Sequence, residues 1–177
     1  RVIGSDHRGL AREGLLRGAL DRMLKERRIQ VPVHDVAEAR IEDLDHLLSE
    51  GVLSPEKKAQ GSVARISFAH HVLFDYAVAR LTLESGRAPD FAARLTSSDE
   101  RALLMAPGAT MALQILWQED EPGRPMFWKK AFEVAGADGT GAFCRMLPAR
   151  DAATLTGNLQ DFEPVLDCLR RRDCPDR

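Results

Sequence analysis

Cysteine is scarce in this chain: Cys144, Cys168 and Cys174 are its whole complement. They stand at no metal-ligand spacing, and an odd count argues against a disulfide framework, so a reduced, cytoplasmic chain is expected. Long apolar runs are also missing, which excludes a membrane-spanning helix as an expectation. The opening "RVIGSDHRGL" lacks the basic-then-apolar order of a secretory leader. It starts with Arg1 rather than Met, as expected of a piece of something longer, or of a processed or incompletely recorded sequence. No G-x-x-x-x-G-K-[ST] phosphate loop occurs. The glycines of "GADGTG" (Gly136, Gly139, Gly141) follow no apolar strand and precede no lysine, so they read as a helix–helix connection. By itself the chain is expected to be no enzyme.

Other catalytic constellations are equally thin. Glu56-Lys57-Lys58 supplies an E-x-K, and Asp43 and Asp45 lie upstream. These carboxylates fall on the presumed outer face of a helix and the E-x-K in a turn. A metal-dependent nuclease needs such groups to converge on one ion. Solvated charge runs account for them better, and for "EDE" at Glu119 to Glu121. No Ser or Cys has a His and an acid beside it in a local motif.

What is present is an ordinary globular composition, 44% apolar and 29% charged over 177 residues. That is enough for one domain or two small ones. The net charge of −2 is unevenly spread. Residues 1–30 carry eight Lys/Arg against four Asp/Glu, and residues 31–62 carry three against seven. A basic first helix facing an acidic neighbour, within the molecule or across an interface, is the expectation.

Ser5 or Asp6 can cap a first helix, in which Leu10, Leu15, Leu16, Ala19, Leu20, Met23 and Leu24 recur at helical spacing. Pro32 blocks its continuation through "IQVPVHDV". "RIEDLDHLLSEG" predicts a second helix with Ile41, Leu44, Leu47 and Leu48 on one face and Gly51 as its stop. "VLS", the polar "PEKKAQGS" and the alternating "VARISF" predict a hairpin. The helical period returns from His70 to Glu84, with Val72, Leu73, Tyr76, Ala79, Leu81 and Leu83 as apolar positions and Gly86 closing. This order predicts a winged-helix domain over residues 1–87. Its recognition helix, residues 40–50, sets Glu42, Asp43, Asp45 and Glu50 against Arg40, with Lys57 and Lys58 on the wing. A phosphate backbone repels such a surface, so nucleic acid is a disfavoured partner.

Residues 88–177 read as serial short helices broken at Pro107, Pro122, Gly136 to Gly141 and Pro148. They predict a helical array of the HEAT/TPR α-solenoid kind with Trp117, Phe127, Trp128 and Phe132 in its core, although no repeat period is clean. The predicted fold class is thus mainly α: a winged helix with a short β-hairpin, then a helical array.

The stretch "FAHHVLFDYAVAR" resembles the F-x-H-x-x-x-x-[DE]-[FY]-x-x-A signature near the end of the winged-helix domain in STAND ATPases, including NACHT-type proteins. Phe68, His70, Asp75, Tyr76 and Ala79 take the matching positions, and the resemblance extends over roughly residues 8 to 86. It implies a signal-transduction NTPase of the kind used in immunity and antiviral defence. It further implies that His70 approaches the β-phosphate of ADP and locks a closed state, with Asp75 and Tyr76 fixing the helix behind it. His71 matches nothing in the signature. ADP or ATP would be held by an NTPase core of the same or another chain, since no cofactor is expected on this chain alone. Protein partners would meet the helical array. Two other readings stay open: a winged-helix DNA-binding regulator with a helical dimerisation or effector domain, and a stand-alone helical adaptor with structural histidines.

Overall fold

The computed structural model describes residues 7–37, 41–56, 64–84, 91–95, 99–119, 123–138 and 141–171. The protein is mainly helical, with one small three-stranded antiparallel sheet. It divides into two compact units, Arg1–Leu81 and Thr82–Arg177. Among the described residues no helix is long and apolar enough to cross a membrane.

The first unit is organised by helix α1, His7–Glu26. Its Leu15, Leu16, Ala19, Leu20, Met23 and Leu24 recur every three or four residues, and all are buried. Leu10 belongs to the same sequence pattern but stands exposed, one turn from the helix start. The helix ends where Arg27 takes a left-handed φ of 56° and Arg28 N–H returns to the Met23 carbonyl at 3.0 Å. That is a Schellman closure with arginine where glycine is usual.

Strand β1, Gln30–Pro32, and the short helix α2, His34–Ala37, follow. Helix α3, Ile41–Ser49, buries Leu44 and Leu47. Ile41, expected on that face, is 68% exposed because it opens the helix, ahead of the turn that meets α1. Gly51, at φ 69°, ends α3 by the same closure as α1, with Val52 N–H bonding the Leu47 carbonyl at 3.0 Å. Strands β2, Leu53–Pro55, and β3, Arg65–Phe68, form the expected hairpin, while the connecting residues 57–63 lie outside the described residues.

Strand β1 was not anticipated. It pairs with β3 in the register Val31↔Ile66, giving the order β1-β3-β2. Pro32 therefore ends an edge strand rather than simply breaking a helix, a position where its missing N–H leaves no gap in the ladder. Helix α4, His71–Ala77, then runs into a π-helical segment, Val78–Leu83.

The charge asymmetry resolves inside the first unit. Arg12 of α1 meets Asp43 of α3 at 3.8 Å, and Arg22 of α1 meets Asp35 of α2 at 3.1 Å. These partly exposed pairs each contribute about 0–1 kcal/mol, so they orient the helices more than they stabilise them.

The second unit holds α5 (Phe91–Leu95), α6 (Asp99–Gln118), α7 (Gly123–Gly136), α8 (Ala142–Leu155), a 3-10 turn (Leu159–Phe162) and α9 (Glu163–Arg171). Helices α6, α7 and α8 pack against one another over Met105, Ala109, Leu113, Phe127, Val134, Cys144 and Leu147. Neither Pro107 nor Pro148 ends a helix, contrary to expectation: they lie inside α6 and α8. Pro107 is on the solvent side, as is Leu103, whose carbonyl loses its N–H donor there, so water can replace the bond. The alanine-rich buried face on both sides carries α6 through. The turn into α7 is tight: a Cβ on Gly123 would collide with the Leu116 carbonyl. The aromatic group expected as core is assembled, with Trp117 and Phe127 edge-to-face at 5.0 Å and Phe127 and Trp128 at 5.3 Å.

Candidate functional site

The junction between β3 and α4 presents the two adjacent histidines. Ile66 and Phe68 point inward from β3 by strand alternation. Ala69 N–H prolongs the pairing with β2 by bonding the Val52 carbonyl at 3.0 Å. His70 is still extended, with φ −135° and ψ 143°, and is the N-cap of α4. Its carbonyl accepts from Leu73 N–H at 3.0 Å and Phe74 N–H at 3.3 Å. Its imidazole is solvent-exposed and makes no capping hydrogen bond. The backbone of His70 is thereby committed to starting the helix while its ring points into water.

Below the junction Phe74 packs edge-to-face on Phe68 at 5.7 Å between ring centres. Phe74, Ala77, Val78 and Ala79 seal the inner face, and Arg17 of α1 donates to the Leu81 carbonyl at the end of the segment. His71 is exposed beside His70. Asp75 is half-buried, and loss of hydration raises its pKa, with a smaller opposing electrostatic effect from His71 one turn earlier.

Tyr76 is 46% exposed. Its hydroxyl accepts from Arg80 Nε at 3.4 Å, and the guanidinium lies 5.9 Å from its ring centre. Val72 is exposed one turn before it, so the helix shows an outer face of Val72, Tyr76 and Arg80. The sequence pattern had set Val72 and Tyr76 among the inward positions. The true inner face is Phe74, Ala77 and Val78, one step round the helix.

The remaining candidates do not converge. Glu56 accepts from Gln30 Nε2 at 2.7 Å, while Lys57 and Lys58 lie outside the described residues. Asp43 is engaged by Arg12, and Asp45 faces solvent. Arg40, Gly86, Asp120, Glu121, Pro122, Gly139 and Cys174 are outside the described residues too. Gly136 ends α7 and Gly141 precedes α8, as a helix–helix connection requires. Among the described residues no three His, Cys, Asp or Glu side chains come close enough to hold a metal ion.

A second polar centre escaped the sequence reading. Asp161 is only 3% exposed. Its Oδ2 accepts from Gly157 N–H at 2.7 Å and Asn158 N–H at 3.0 Å, and its Oδ1 takes Arg124 Nη1 at 2.7 Å. The Asn158 side chain in turn accepts from Gln160 N–H at 2.9 Å, so the two residues cap the 3-10 turn reciprocally. The Gly157 amide, then that of Asn158, then Arg124 hold the Asp161 pKa down, outweighing the cost of burial. The signal was present in "NLQD", a capping-box spacing, but nothing in the sequence paired it with an arginine 37 residues earlier.

No protein-family model, curated protein or solved structure matches the chain.

Proposed function

We propose that the chain is a regulatory, protein-interaction segment of a STAND-type signalling ATPase, non-enzymatic by itself. In this reading the first unit is a winged helix whose His70 donates an N–H to the phosphate of ADP held by an NTPase core. The second unit is a solenoid-like helical array that meets protein partners. The observation that carries the reading is the state of His70: a solvent-exposed imidazole without a capping bond, on a backbone fixed between a strand and a helix. A ring so held can exchange water for an external anion without breaking a capping bond to its own helix.

The element order supports it. Helix, strand, two helices, two strands and a helix, with sheet order β1-β3-β2, is compatible with a winged helix. Among the exposed residues of α3 are Glu42 and Asp45, with no described cation beside them, which disfavours the DNA-reading alternative.

The test uses the complete protein, with this chain joined to its nucleotide-binding core. His70→Ala should weaken ADP retention about tenfold, the worth of one charge-assisted hydrogen bond, and raise basal signalling. Unchanged ADP retention and basal output would reject the assignment.

A further inference from the structure

Helix α8 divides into two faces. Cys144, Leu147, Pro148 and Asp151 are buried, and Asp151 is the charged residue among them. On the opposite side Phe143 and Met146 stand 40% and 63% exposed, and Arg150 continues the line one turn beyond Met146. Side chains at that spacing form one ridge along a helix. Ala142, Ala149 and Ala153 are exposed beside it and add little relief.

A buried carboxylate needs a physical reason. Asp151 Oδ1 accepts from Arg150 Nε at 3.2 Å and from Nη2 at 2.9 Å, while Oδ2 is buried with no hydrogen-bond partner among the described residues. Taking a carboxylate out of water with one oxygen unmatched costs stability, and an apolar residue would serve the core better. What Asp151 achieves lies at the surface. Arg150 Nη2 also donates to Thr110 of α6 at 2.7 Å, so the guanidinium is held from two helices. Its side chain is nonetheless 58% exposed, and its Nη1 amino group donates to no described residue. An arginine already fixed in place loses little freedom when a carboxylate meets its open edge.

Three features decide the occupant. Apolar side chains on one helical ridge fit the groove of another helix, and the alanines let its axis come close. Arg145 and Arg150 are both exposed, and α8 exposes no acid to answer them, so carboxylates complement the face. The second unit as a whole carries twelve Lys/Arg against fifteen Asp/Glu, so a surface of anionic lipid would repel it.

We propose that the outer face of α8 is a docking site for an acidic amphipathic helix of a partner protein. Phe143 and Met146 meet its apolar side, and Arg150 Nη1 donates to one of its carboxylates. Asp151 is the positioning residue that holds Arg150 ready. This rests on the reading of the second unit as a partner-binding array, and it involves neither His70 nor a nucleotide.

A displayed library of roughly 16-residue helical peptides, long enough to lie along α8, tests it on this chain alone. Retained peptides should carry Asp or Glu beside apolar residues spaced three or four apart. Met146→Glu alters an exposed position and should weaken the tightest of them about tenfold or more in fluorescence anisotropy. Arg150→Lys keeps a charge beside Asp151 but loses the forked donor, and should weaken binding about tenfold. Asp151→Asn should weaken it about threefold while the amides of α6 to α8 keep their protection from hydrogen exchange. A library that yields no binder overturns the proposal, as do binders without acids or binders indifferent to Met146→Glu and Arg150→Lys. Unchanged affinity in Asp151→Asn, or protection lost throughout α6 to α8, removes its positioning role. A dimer of the unsubstituted chain that Met146→Glu dissolves assigns the face to a second copy and rejects the proposal. Binding to phosphatidylserine–phosphatidylcholine vesicles that Arg145→Glu abolishes assigns it to lipid and likewise rejects it. Each of these failures leaves the ADP assignment standing, because no nucleotide enters the measurement.

Discussion

His70 caps α4 and Asp161 closes the capping box of the 3-10 turn, and the protein treats them oppositely. His70 gives its carbonyl to α4 and leaves its ring in water. Asp161 is withdrawn from solvent, with both carboxylate oxygens occupied by backbone amides and an arginine. A polar side chain whose bonds are all made inside the protein is committed to structure. One whose backbone is fixed but whose functional atoms are unspent is available to a ligand. The contrast separates what holds the fold from what the fold holds out.

The strongest way to break it is to truncate both. Asp161→Ala leaves two amides and Arg124 without their acceptor and should lower the melting midpoint of the second unit by roughly 5 °C or more. His70→Ala should move the midpoint by less than about 2 °C. Equal shifts in calorimetry would abolish the distinction.

Acid provides the next test. Because the Asp161 pKa is depressed in the folded state, the stability it brings is complete above its ordinary value and is lost as pH falls through the lower folded value. The charged group facing it from α7 is Arg124, which stays protonated throughout. Tryptophan fluorescence should therefore change below about pH 4 as Phe162 leaves Trp128, and Asp161→Asn should flatten that transition. A transition near about pH 6 would point to a histidine instead.

Helix ends carry a smaller version of the contrast. Gly51→Ala forces a Cβ into a left-handed position and should cost about 1 kcal/mol, with no clash to add. Arg27→Gly relieves that strain at the end of α1 and should gain about 0.5 kcal/mol in denaturant melts. Smallest is Asp75→Asn. Burial raises the Asp75 pKa, so its ionised form is penalised once pH passes the folded value and not below the ordinary one. Replacement should gain about 0.5 kcal/mol or less near pH 7, because the site is partly open to water, and nothing at about pH 3.

Much of the first unit is legible in its sequence because each element carries its own period. Leucines every three or four residues mark α1, and alternation marks β3. Strand β1 is illegible for the opposite reason: three residues ending in proline have no period, and only pairing with β3 makes them a strand. The prolines of α6 and α8 mislead because local geometry argues for a break while buried contacts on both sides outweigh one lost bond. At the candidate site, the motif singles out His70 and the fold leaves its ring in solvent, whereas Tyr76, one of the apolar helical positions of the sequence pattern, stands 46% exposed. Asp161 is illegible as a site because its partner, Arg124, belongs to another helix, and no local rule joins the two.

The sheet carries a consequence for how anything can bind the first unit. Both outer strands, β1 and β2, are three residues long and both finish in proline, at Pro32 and Pro55. Each margin offers at most two amide donors, too few to template an added strand from another polypeptide. Among the described residues, the sheet margins therefore favour recognition of the first unit through helices and side chains over the addition of a strand.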